Sequence, residues 1–128
     1  MIVLVDTSTP ICKITFVDAR DRRDYQWESN RTLAKELLGY LDGLLKENNK
    51  TWSDILAIGV FEGPGSFTGI RIGLTTMNTI ADAQGIPIVG ARGDNWQDKV
   101  MAKLDSGKDE KIVLPFYGSD ANISVPRK

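Results

Sequence analysis

Gly63-Pro64-Gly65-Ser66-Phe67-Thr68-Gly69-Ile70-Arg71 is the stretch best suited to chemistry. It joins an apolar segment, 55–61, to one with helical character, 70–83. A glycine-rich turn entering a helix aims backbone N–H groups outward at the helix's positive end, a geometry that suits an anion. Arg71 adds a cation beside it, and Gly63, Gly65, Ser66, Thr68 and Gly69 are the candidate anion-facing residues. The other reading is a tight turn, with Pro64 fixing φ and the glycines permitting positive φ and close packing. Neither classical phosphate loop fits. No lysine follows Gly69 as a Walker loop requires, and the glycines at 63, 65 and 69 miss the Gly-x-Gly-x-x-Gly spacing. A second polar turn, Asp6-Thr7-Ser8-Thr9-Pro10, follows the first apolar run. It could face a phosphate, or Asp6 could simply accept hydrogen bonds from nearby backbone N–H groups.

Composition removes other chemistries. The 128 residues include no histidine and one cysteine, Cys12. A Ser-His-Asp triad, a Cys-His pair, a histidine zinc site and an internal disulfide are excluded, and a metal-dependent peptidase loses its usual ligands. A formal net charge of −1 lacks the basic footprint of a free-standing nucleic-acid binder. No segment reaches transmembrane length and the start is not signal-like, so the expected compartment is the cytoplasm.

The positioning elements follow from periodicity. Residues 2–5, 11–17 and 24–28 read as three strands joined by short turns, an antiparallel meander; Cys12, Ile14 and Phe16 share one face. Residues 30–48 read as a helix, with Leu33, Leu37, Leu41, Leu44 and Leu45 on one stripe, Leu38 beside them and Asn30 as its cap. Gly39 and Gly43 inside it each cost about 1 kcal/mol against alanine, and small residues four apart also let another helix approach. Residues 70–83 form an apolar helix of Ile70, Leu74, Met77, Ile80 and Ala81, with small polar residues between them and little charge. Such a helix is buried in the fold or against a partner. A strand at 85–90, a helix capped by Asp94 and a last pair of strands at 112–117 and 121–125 complete the pattern. The order β-β-β-α-β-α-β-α-β-β implies an α/β fold with a mixed sheet. It is the order of the ribonuclease H-like fold, shared with each lobe of actin-like ATPases. That fold would bring Asp6, Glu36 and Glu62 to the places where two-metal nucleases hold carboxylates. The competing reading leaves Glu36 a solvated helix charge.

The run Ile2-Val3-Leu4-Val5-Asp6-Thr7-Ser8-Thr9, taken with the glycine segment through Ile72-Gly73 and Ile86-Pro87-Ile88-Val89-Gly90, resembles the TsaB (YeaZ) family. The resemblance implies a non-catalytic subunit of the machinery that makes threonylcarbamoyladenosine in tRNA. Its partners would be a homologous catalytic subunit, TsaD, and the ATPase TsaE, with tRNA met only through the complex. It implies no cofactor held by this chain alone, with ATP and Mg entering in the complex, and self-pairing through the same surface. Carried onto this sequence, the pairing helices are 30–48 and 70–83, with Leu33, Leu37, Gly39, Tyr40, Gly43, Ile70, Leu74, Met77, Ile80 and Ala81 as interface residues. The family often has a histidine where the first helix opens; this chain has none. Residues 1–128 would be one lobe, equivalent to the family's N-terminal lobe, with the second lobe absent. Metal-dependent nuclease and nucleotide-binding lobe stand as alternatives.

Overall fold

The computed structural model describes residues 1–116. A five-stranded mixed sheet runs in the order β3-β2-β1-β4-β5. Its strands are β1 (Ile2–Asp6), β2 (Ile11–Asp18), β3 (Asp21–Glu28), β4 (Ala57–Phe61) and β5 (Ile88–Ala91). The first three form the expected antiparallel meander, Val5 opposite Ile14 and Ile14 opposite Tyr25. β4 then lies parallel to β1, and β5 parallel to β4. β3 starts earlier than its apolar residues announce, because Asp21 to Arg23 continue the ladder at the sheet's edge, where charge costs little.

Three helices cover the sheet. α1 (Leu33–Glu47) and α2 (Phe67–Gln84) share one face with Val3, Val5, Cys12, Ile14, Phe16, Ile58 and Val60. α3 (Trp96–Asp105) covers the other face over Leu4, Phe61, Val89 and Ala91. Gly59 admits it closely: a Cβ there would collide with the Val100 side chain. The leucine stripe of α1 is buried as its spacing implies. Leu38 is not part of it and stands half in solvent.

Three local expectations are corrected. Residues 30–32 form a single 3₁₀ turn rather than the opening of the α-helix, which begins at Leu33 without a side-chain cap. α3 begins at Trp96 after Asn95, so Asp94 does not cap it. Residues 112–116 are not a strand: the Phe116 N–H donates to the Glu62 carbonyl at 2.8 Å, but the Val113 backbone is bonded to a side chain instead of a neighbouring strand. The Asn78 amide donates to the Val113 carbonyl at 3.0 Å and accepts from the Val113 N–H at 2.9 Å. The expected strand at 121–125 lies outside the described residues.

This strap and its approach close the edge of β5. The β5 groups that face away from β4 belong to Ile88 and Gly90. The Ile88 N–H donates to Asp109, and the Ile88 carbonyl accepts from the Glu110 N–H. The Gly90 N–H donates to the Glu110 carboxylate, and the Gly90 carbonyl accepts from the Lys103 ammonium.

Candidate functional site

The glycine loop and the Asp6 turn are one structure. The Asp6 carboxylate accepts the Ser8 N–H at 2.9 Å, the local turn bond considered from the sequence. The Ser8 carbonyl accepts the Ser66 N–H at 2.8 Å. Thr7 and Ser8 are buried. Gly63 has φ +127°, a conformation open to glycine and costly for other residues. At Gly65 the constraint is also space, since a Cβ there would lie 2.5 Å from that of Ser8. Ser66 caps α2, its hydroxyl accepting the Gly69 N–H at 3.3 Å. The loop's close packing and its own serine cap therefore account for its residue types without an anion. Thr68 is exposed, and the Arg71 guanidinium lies over the Phe67 ring at 5.1 Å. Asp6 also borders a cleft of about 460 Å³ that it shares with Lys13, Arg22 and the start of α3.

The carboxylates expected of a nuclease do not converge. Glu36 is exposed on α1. Glu62 sits over Gly90, where burial raises its carboxyl above the ordinary range against the pull of Lys103. Among the described residues no group of three or more His, Cys, Asp or Glu side chains is placed to hold a metal ion. Asp6, Glu36 and Glu62 therefore do not form such a group.

The outer surface of α1 and α2 carries a different feature. A groove of about 500 Å³ runs between them, with Leu38, Gly39 and Asp42 on the α1 side. Thr79, Ile80, Ala83 and Gln84 form its α2 side, and Trp52 also lines it. Its lining is mainly apolar, and Leu38 is 52% exposed. The Trp52 indole N–H donates to Asp42 at 3.1 Å, and Lys46 pairs with Asp42 at 2.9 Å. Those bonds, the Lys46 one foremost, hold the Asp42 carboxyl below its usual range. A Cβ built on Gly39 or Gly43 meets nothing within 4 Å, so neither glycine serves the packing of this chain. A second depression of about 330 Å³ lies between α1 and the opening of α2, by Ala34, Arg71 and Thr75.

Burial sorts the residues named for pairing. Leu33, Leu37, Ile70, Leu74, Met77, Ile80 and Ala81 lie in the core of this chain rather than on an outer ridge. The apolar stripes of α1 and α2 are spent on covering the sheet, and only Ile80 of this group also lines the groove. Tyr40 is half-buried, stacked on Trp27 at 4.9 Å, and Gly43 is half-buried; Gly39 is exposed.

Residues 28–92 match the family model described as TsaD, tRNA N6-adenosine threonylcarbamoyltransferase. The chain belongs to the TsaD/TsaB (YeaZ) family. It is 26% identical over 112 residues to the tRNA threonylcarbamoyladenosine biosynthesis protein TsaB of Haemophilus influenzae, covering 88% of this chain and 47% of that protein. It is 40% identical over 111 residues to the tRNA N6-adenosine threonylcarbamoyltransferase of Bacillus thuringiensis, covering 77% of this chain and 32% of that protein. Among solved structures it is similar to YeaZ from Pseudomonas aeruginosa, with a TM-score of 0.66 and 28% identity, covering 71% of this chain and 43% of that one. The chain thus spans about half the length, or less, of the relatives it matches.

In this TsaB-type chain the groove residues Trp52, Thr79, Ala83 and Gln84 carry no periodic signal. Gly39 and Ile80 were named from the sequence, and Leu38 stood out only as a leucine just off the buried stripe. No helix of the described residues is long and apolar enough to cross a membrane.

Proposed function

We propose that this chain is a non-catalytic accessory subunit in the formation of threonylcarbamoyladenosine in tRNA. It pairs with a TsaD-type catalytic subunit through the groove between α1 and α2. The observation that carries this reading is Gly39. It stands exposed in the wall of an apolar groove, costs a helix about 1 kcal/mol against alanine, and makes room that this chain's own packing leaves unused. A helix of a second protein laid along the groove would use that room. The exposed Leu38 and half-buried Trp52 give it apolar surface, and association surfaces are marked by such patches. The sequence's lack of histidine and the scatter of its carboxylates support a role without catalysis of its own.

On this reading the chain meets tRNA and a TsaE-type ATPase only within the complex, in the cytoplasm. ATP and Mg belong to the assembly rather than to this subunit alone. Without the catalytic subunit, the same groove accepts a second copy of the chain.

The test is co-purification with the TsaD-type subunit, followed by a tRNA modification assay with and without this chain. Leu38→Asp is expected to abolish capture and the dependent modification while leaving the melting curve in place. Modification that runs equally well without this chain would sink the proposal.

A further inference from the structure

Thr7 follows β1 directly, near the middle of the sheet, and is 4% exposed. Its hydroxyl donates to the Gly69 carbonyl at 2.7 Å, in the first turn of α2 and 62 residues away in sequence. The seat is shaped for it. A Cβ on Gly73 would strike the Thr7 hydroxyl and lie 2.8 Å from its methyl carbon, and one on Gly69 would strike the Thr7 carbonyl. Gly65 gives Ser8 the same clearance. Glycines at 65, 69 and 73, four apart, form a notch along one side of α2 and its entry, and the Thr7–Ser8 turn fills it.

The remaining support under α2 is of another kind. Ile70, Leu74, Met77, Ile80 and Ala81 bury apolar surface, which holds a helix down without fixing its height along the sheet. The Thr7 hydrogen bond and the glycine notch are directional. They set how far α2 slides and turns relative to β1.

We propose that Thr7 is a positioning residue for the pairing surface. Its seat between Gly69 and Gly73 fixes the register of α2 and so the width and lining of the groove against α1. The inference rests on the pairing function proposed above. At a rise of about 1.5 Å per residue, Thr79 and Ala83 lie roughly 9 and 15 Å along the axis from Gly73. Thr7 itself is buried beneath α2, so its effect on a groove-bound partner is exerted through the helix.

Calorimetric titration of the full chain into the TsaD-type subunit tests this, with Thr7→Val, Thr7→Ser and Thr79→Arg compared with wild type. Thr79→Arg blocks the groove and is expected to abolish pairing. Thr7→Val keeps the shape but loses the hydroxyl. It is expected to weaken pairing on the order of tenfold, the size of coupling that packed, non-contacting substitutions carry. Thr7→Ser keeps the donor and restores most of it. Wild-type affinity in a folded Thr7→Val, with Thr79→Arg inactive, overturns the positioning role and leaves the groove standing. If Thr79→Arg pairs normally, the groove reading fails instead. Thr7 is then judged by amide exchange at residues 79–84, which quickens in Thr7→Val but not in Thr7→Ser if Thr7 holds the register. Equal exchange in both refutes it.

Discussion

Replacing Asn78 with alanine removes a side chain that does the work of a strand. Its amide holds the Val113 N–H and carbonyl at 2.9 and 3.0 Å, and the Val113 side chain, 2% exposed, closes over Gly90. Two partly buried hydrogen bonds contribute about 2 kcal/mol together, and stranding Val113's backbone groups adds roughly 1 kcal/mol. Alanine's better helix propensity returns up to about 0.7 kcal/mol. The expected net loss is about 2 kcal/mol, read from urea unfolding at pH 7. Amide exchange at Val113 and Gly90 should quicken beyond that global loss, because the strap opens locally before the domain unfolds. Asn78→Asp is a sharper probe. It keeps the acceptor for the Val113 N–H but sets a negative charge against the carbonyl, so its deficit should shrink as acid protonates it. A loss under about 0.5 kcal/mol in Asn78→Ala, with Val113 still protected, would refute the reasoning.

Met77→Asp should not yield a folded protein, since Met77 is fully buried and its truncation alone costs about 2–5 kcal/mol before the carboxylate is counted; circular dichroism decides it. Leu38→Asp, at a half-exposed site, should shift stability by less than about 0.5 kcal/mol in the same measurement. Burial raises the Glu62 carboxyl above its ordinary 4.5, although Lys103 and Arg92 pull the other way and Glu110 adds to the rise. The ionised form therefore costs stability, a penalty absent in acid that develops as the pH rises above 4.5. Glu62→Gln should melt like wild type below that range and higher at pH 7. Burial, with Asp6 nearby, pushes the Cys12 thiol up to about 12, so a disulfide reagent at pH 8 should label it only at the rate of unfolding.

The meander and the helices that follow were legible because their signals are local. Alternation at Cys12, Ile14 and Phe16 and the leucine spacing of α1 report which faces are covered. The segment around Val113 misled for a physical reason: its apolar residues suit a strand, but the Val113 backbone finds its hydrogen-bonding partner in an amide on a helix. Buried Met77 and exposed Leu38 look alike in sequence, and only the packing of α1 and α2 against the sheet separates them. That the glycine loop leads into a helix was legible from its position before residues 70–83. What it packs against was not legible, because Thr7 and Gly73 meet only when β1 and α2 are assembled.

Among the described residues the β5 margin of the sheet is closed and the β3 margin is charged. Every outward peptide group of Ile88 and Gly90 is already spoken for, and the far margin presents Arg22, Arg23 and Asp24 to solvent. A neighbour that tries to join as a sixth strand must first displace Glu110 and Lys103 or seat itself beside a row of charges. A partner in the groove between α1 and α2 would meet neither obstacle.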